Sequence, residues 1–161
     1  MLERLANSGR IRKGDTLLDY GCGKGRVDCY LAYQTRCRSI GVECDLRIYE
    51  AAEENKETAV AGGRTEFVLA DAGEFPVPEA VNRVYFFNPF SVELLQKVIR
   101  RILDSWYEVP REIRLFFYYP SDEYLAYLMT VDELVFTDEI DCLDLFDGKD
   151  ERERIVEFVL E

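Results

Sequence analysis

The stretch Thr16–Val27, TLLDYGCGKGRV, constrains this chain more than any other. An apolar run, Thr16-Leu17-Leu18, leads into Asp19. Glycines follow at Gly21, Gly23 and Gly25, and the residues beyond them read as helix. Strand, tight glycine turn, helix is how an α/β protein seats an adenosine-containing ligand, because glycine lets the backbone approach closely and take dihedrals that a Cβ forbids. A glycine loop alone is a weak signal, so the remaining elements decide its meaning.

Those elements alternate. The opening MLERLANSGR reads as a short polar helix. Arg26–Gln34 is expected to be helical, with Val27, Tyr30, Leu31 and Ala32 inward. Arg38–Val42 is a second strand ending at Glu43, and Asp45 is placed to cap a helix that runs to about Val60 and stops at Gly62-Gly63. Thr65–Ala70 is a third strand, closing on Asp71 before a loop with Pro76 and Pro78. Arg83–Phe87 is apolar enough for a central parallel strand, which makes Phe86 and Phe87 expected core residues, and it runs into Asn88-Pro89-Phe90. Ser91 caps a helix carrying Val92, Leu95, Val98, Ile99 and Ile102 at helical spacing. Ile113–Tyr119 is a fifth strand stopped by Pro120, and Ser121 caps a helix with Tyr124, Leu125, Leu128 and Met129. Glu133–Leu145 and Arg152–Leu160 read as an antiparallel hairpin around Asp147-Gly148. The expected fold is α/β: a doubly wound, mostly parallel Rossmann-like sheet of five βα units with a C-terminal antiparallel hairpin, in one domain over residues 1–161.

Composition removes several function classes. No apolar stretch reaches the ~20 residues of a membrane span and no signal peptide heads the chain, so a cytoplasmic location without membrane contact is expected. Net charge is −12, which disfavours unaided binding to a nucleic-acid backbone. Residues 1–47 carry nine basic and six acidic side chains, against eleven and twenty-six in the remainder, so anion binding near the glycine loop stays open. The five cysteines include no Cys-x-x-Cys pair, and with no histidine in the chain a structural metal site is not expected. Lack of histidine also removes Ser-His-Asp and Cys-His catalysis. Cys22, inside the glycine loop, reads either as a reactive thiol or as a small residue tolerated there.

Ligands of open α/β sheets sit at the carboxyl ends of the strands, where the strand order reverses. Here the first four strand ends carry Asp19, Glu43, Asp71 and Asn88, and Glu43 stands twenty residues past Gly23, where an acid meets a ribose diol. The nicotinamide fingerprint Gly-x-Gly-x-x-Gly needs glycine where this chain has Arg26. In Asp19-Tyr20-Gly21-Cys22-Gly23-Lys24-Gly25 the chain resembles the class I, Rossmann-like S-adenosylmethionine-dependent methyltransferases, whose first motif is Asp/Glu-x-Gly-x-Gly-x-Gly. Gly41-Val42-Glu43 resembles their second strand with its ribose-binding acid. Ala70-Asp71-Ala72 resembles the segment that reaches the adenine, and Asn88-Pro89-Phe90 resembles their Asn/Asp-Pro-Pro-Tyr/Phe motif with one proline fewer.

The resemblance implies S-adenosylmethionine as cofactor, held by Asp19, Tyr20, Gly21, Gly23, Gly25, Glu43, Asp71 and Ala72. It implies a methyl transfer at Asn88, Pro89 and Phe90. An amide oxygen at Asn88 and the Pro89 carbonyl would orient an amine, so nitrogen is the expected acceptor atom, in a protein side chain, a small amine or a base. Relatives carry N-terminal structure over the substrate, so an oligomer or partner supplying a lid is also expected. The alternative is a non-catalytic module that binds cofactor or partner, with Asn88 a mere strand-end cap, Asp71 a turn residue and Asp19 a satisfier of loop N–H groups. Lys24 and Arg26 fit a solvated rim. Tyr118, Tyr119 and Pro120 fit either a substrate wall or the core.

Overall fold

The structure, a computed structural model, describes residues 1–161. Seven strands form one sheet: β1 (Thr16–Tyr20), β2 (Arg38–Glu43), β3 (Thr65–Leu69), β4 (Arg83–Phe86), β5 (Ile113–Tyr118), β6 (Val135–Asp141) and β7 (Arg154–Leu160). Their order is β3-β2-β1-β4-β5-β7-β6. β1 to β5 are parallel, whereas β7 runs antiparallel to both β5 and β6. The order reverses between β1 and β4, so the switch point lies beside the glycine loop.

Five helices cover the two faces: α1 (Leu2–Asn7), α2 (Arg26–Thr35), α3 (Leu46–Thr58), α4 (Val92–Glu108) and α5 (Asp122–Leu128). Leu5 and Leu31 pack with Leu17, Tyr85 and Phe116 on one face. Leu95, Val98, Ile99 and Ile102 of α4 pack with Leu18, Val84, Phe86, Leu115 and Phe117 on the other. This is alternation within each strand: Leu17 and Asp19 face α2, Leu18 and Tyr20 face α4. The three expected caps are made. Asp45 accepts the N–H groups of Arg47 and Ile48, Ser91 that of Leu94, and Ser121 that of Tyr124.

Three details differ from expectation. No helix joins β3 to β4, so the third crossover is a loop over residues 70–82 rather than a full βα unit. Arginines hold that loop from α4 and its exit. Arg101 Nε donates to Gly73 O at 3.0 Å, and Arg111 reaches Val81 O at 2.7 Å and Pro78 O at 3.3 Å. Second, the terminal ribbon is not a tight hairpin. The later strand, β7, lies inside, because Ile155–Leu160 is apolar apart from the ion-paired Glu157 while β6 carries Asp138, Glu139 and Asp141. Third, β4 ends at Phe86, and Phe87 is 55% exposed rather than core. No helix is long and apolar enough to cross a membrane.

One buried carboxylate stabilises the far end of the sheet. Glu157 of β7 is 1% exposed and accepts from Arg114 Nη1 at 2.6 Å, with Arg10 Nε at 2.9 Å completing an ion triad.

Candidate functional site

β1 ends at Tyr20, and the loop after it folds back on β2: Gly21 and Cys22 N–H both donate to Val42 O, at 2.9 and 3.1 Å. Gly21 and Gly25 take φ of +68° and +84°, and both are also close-approach positions. A Cβ on Gly21 would stand 2.7 Å from Pro89 Cβ, and one on Gly25 2.3 Å from the Phe67 ring. Glycine is therefore required twice over at each. Cys22 sits on Gly41, where a Cβ would meet it at 2.8 Å. Its thiol is buried, and burial followed by the charges of Asp28, Asp19 and Glu43 pushes its pKa up. Cys22 is a packing residue, not a reactive thiolate.

Glu43 ends β2 and turns over the loop. Its Oε2 accepts the Gly23 N–H at 3.1 Å and its Oε1 the Asp45 N–H at 3.2 Å. Each oxygen keeps a lone pair for a ligand hydroxyl. Asp71 is exposed beyond β3 and accepts the Gly73 N–H at 2.7 Å, which fixes the turn that Ala72 belongs to. Glu43, Asp71 and Ala72 line a cleft of about 310 Å³ together with Gly21, Pro89 and Phe90. Phe90 stands edge-on to Tyr20 and Phe86, with ring centroids 6.3 and 6.4 Å away. Tyr124 fixes its backbone by donating its hydroxyl to Phe90 O.

Other expected residues lie outside the cleft wall. Tyr20 stacks on Phe86 at 5.3 Å in the α4-side core, so only its backbone reaches the loop. Asn88 has φ of +38° and points to the end of β5, where its Nδ2 donates to Tyr119 O and its Oδ1 accepts the Ser121 N–H at 3.3 Å. Tyr119 is itself left-handed, at φ +52°. The Asn88 amide thus joins two strained strand ends, and the turn it makes throws Phe87 outward against Tyr118, 4.8 Å between centroids.

Beneath the loop lies a feature that helical periodicity hides. Asp19 (3% exposed) and Asp28 (0%) are both sealed from solvent, and Asp28 Oδ1 accepts the Ser39 hydroxyl at 2.6 Å. Burial raises both carboxyls above their ordinary range; Asp19 is raised further by the Asp28 charge and then by Glu43. Asp28 belongs to the first turn of α2, the position whose dipole receives a pyrophosphate in dinucleotide folds. Glu43 and Asp71 but no Lys or Arg line the cleft, an acidic wall that suits a cationic ligand. Leu94, Cys44, Val42 and Ala70 complete the cleft wall and carry no sequence signal beyond their neighbours.

Comparison with known proteins agrees with this geometry. A family model described as a methyltransferase domain matches residues 17–112. The 27-O-demethylrifamycin SV methyltransferase of Amycolatopsis mediterranei (strain S699) is 28% identical over 115 residues, 71% of this chain and 39% of that protein. The chain therefore spans about two fifths of the length of that curated relative. Among solved structures, an RNA methyltransferase from Salinibacter ruber in complex with S-adenosyl-L-homocysteine superposes with a TM-score of 0.66 at 18% identity, covering 99% of this chain and 89% of that one. The magnesium protoporphyrin IX methyltransferase from Synechocystis PCC 6803, with bound SAM, gives 0.70 at 16% identity, covering 99% and 76%. At these identities the superpositions speak for the fold.

Proposed function

This chain belongs to the class I S-adenosylmethionine-dependent methyltransferase family, and from that premise we propose that it binds S-adenosylmethionine in the cleft at the β1–β4 switch point and methylates a nitrogen nucleophile. The observation that carries the reading is the meeting of Gly21, Glu43, Asp71, Ala72, Pro89 and Phe90 around one cleft. When bound, S-adenosylmethionine supplies a methyl group on a sulfonium, an electrophile that needs no activation by side chains.

The chain's own residues bind and align. Glu43 accepts the ribose hydroxyls through charge-assisted bonds while its other lone pairs hold the Gly23 and Asp45 N–H groups. Asp71 and the Ala72 backbone receive the adenine edge. Pro89 closes the cleft against Gly21, and Phe90 offers a flat face to a planar acceptor or to the cationic centre. Asn88 Oδ1 has one lone pair beyond its bond to Ser121, and together with the Pro89 carbonyl it would take two N–H bonds of an amine and aim the nitrogen lone pair along the methyl–sulfur axis. The relatives named above act on unlike acceptors, so the nitrogen assignment rests on Asn88-Pro89-Phe90 alone. A second reading, a module that binds cofactor without turnover, draws support from the same Asn88 amide, which already joins β4 to β5.

Calorimetric titration with S-adenosylmethionine, S-adenosylhomocysteine and NAD tests the cofactor. Binding of the first two, weakened at least about tenfold by Glu43→Ala through loss of roughly 1.5–3 kcal/mol of charge-assisted bonding, is expected. Binding of NAD alone refutes it. Labelled methyl transfer to a panel of amines and hydroxyl compounds tests the acceptor: label on oxygen alone overturns nitrogen, and an Asn88→Ala protein that binds cofactor with unchanged turnover removes Asn88 from the mechanism.

A further inference from the structure

Asp28 has no part in the function described above, yet it is the most completely buried acid in the chain. It stands in the first turn of α2, directly over the sheet positions of Asp19 in β1 and Ser39 in β2. The register sets Leu17 beside Ser39 and Asp19 beside Gly41, so Asp19 and Ser39 project from one face of adjacent strands toward α2. The Ser39 hydroxyl satisfies Asp28 Oδ1. Asp28 Oδ2 and Asp19 Oδ2 are each sealed from solvent with no donor.

Two ionised carboxylates in that position would leave two bare anionic oxygens facing each other in a dry site. The neighbouring groups offer no relief. Glu43 on β2 and Cys22 in the loop face the pair from one side and Tyr85 on β4 from another, with Cys29 in α2 and Cys37 just past its end. None of the charges acting on either carboxyl is positive. One proton between the two acids removes the conflict: Asp19 donates through it to Asp28, and Asp28 keeps the residual charge, stabilised by Ser39 and by the α2 dipole.

We propose that Asp19 and Asp28 share a single proton in the free protein, and that a ligand bearing an ammonium group at the glycine loop displaces it, which makes Asp28 the residue that positions Asp19 and sets its charge. The inference rests on the cofactor reading above, since S-adenosylmethionine carries such an ammonium at its amino-acid end. The balance is simple. The pair passes from one negative charge to two, the proton leaves to solvent, and the arriving ammonium compensates the new charge beside Asp19. No bond other than O–H is broken. Asp28 is a positioning residue: it acts on the ligand only through Asp19.

The test counts protons. Calorimetric titration with S-adenosylmethionine in two buffers of different ionisation enthalpy gives the number released on binding. The wild type is expected to release up to about one, and its affinity to rise by about tenfold per pH unit over the range in which the pair titrates. Methylthioadenosine, which lacks the amino-acid end, is expected to bind without release. Asp28→Asn is isosteric, its amide can donate to an ionised Asp19, and it is expected to bind with no release and a flat pH profile. The free protein supplies a ligand-independent arm. Its infrared spectrum at neutral pH should hold a protonated-carboxyl band that vanishes in Asp28→Asn. Absence of that band in the wild type, or its persistence in Asp28→Asn, overturns the shared proton. Binding without release, or equal release with methylthioadenosine, overturns the displacement. A protein that shows the band but binds no S-adenosylmethionine refutes the cofactor reading and the displacement with it, while the shared proton stands.

Discussion

Gly21→Ala tests the contact that joins the two loops of the site. Two costs arise from one methyl group. At φ +68° an L-residue with a Cβ pays roughly 1–2 kcal/mol of backbone strain. The Cβ would also lie 2.7 Å from Pro89 Cβ, against the ~3.5–4.0 Å of an ordinary carbon contact, so one loop must retreat by about 1 Å at an overpacking cost of ~1–3 kcal/mol. Together these predict a loss of ~2–5 kcal/mol, a fall in Tm of roughly 5–15 °C for a domain of this size. Pro89→Gly removes the opposing Cβ. The pair Gly21→Ala/Pro89→Gly should therefore recover the steric part and not the strain, giving an interaction energy of ~1–3 kcal/mol in a double-mutant cycle. Urea unfolding of the four proteins measures it. Additivity within about 0.5 kcal/mol would mean that Gly21 and Pro89 do not touch, and the architecture of the cleft argued from them would fall.

Two further outcomes follow from the buried acids. Glu157→Ala removes the partner of Arg10 and Arg114 from a site that is 1% exposed and should destabilise by ~3–5 kcal/mol, read as a lowered urea midpoint; a change under about 1 kcal/mol would show that the triad is solvated in solution. Burial lifts Asp28 to about 6, so between the ordinary carboxylate range and that value the folded state binds more protons than the unfolded one. Stability is then full below the unfolded pKa and falls as pH rises through the folded one, by up to about 1.4 kcal/mol per unit. Asp28→Asn should reduce that slope to the part that buried Asp19 contributes, and a slope between about pH 5 and about pH 7 as steep as the wild type's would contradict it.

What the sequence disclosed and what it hid divide along physical lines. Asp45, Ser91 and Ser121 were readable as caps because a cap is a local event, one side chain bonding to N–H groups two or three residues on. The glycine loop and Glu43 were readable for a similar reason: spacing along the chain sets their meeting, and Gly23 N–H does bond to Glu43. Asp28 was not readable. Its burial depends on Ser39 and Asp19 arriving beneath α2 from other strands, and a helical apolar stripe says nothing of a polar residue with a private partner. Phe87 misled in the opposite sense. It continues an apolar run, but the left-handed Asn88 turns the chain at that point and leaves the ring outside. The inner place of β7 could have been found from its largely apolar pattern, interrupted only by Glu157 after Ile155, against the charged β6, a comparison of two segments rather than a property of either.

The absent helix between β3 and β4 has a mechanical consequence. The chain that brings Asp71 and Ala72 to the cleft is a suspended span, anchored by Arg101 at Gly73 and by Arg111 at Pro78 and Val81. Arg111 in turn grips the far end of α4 through Ser105 and Val109. The near end of α4 begins at Ser91, one residue past Phe90 on the opposite wall. A single rod therefore carries both jaws of the cleft. A slide of α4 would carry these two walls together while Gly21, Val42 and Glu43 stay with the sheet, so it would shift the pair across the rest of the cleft.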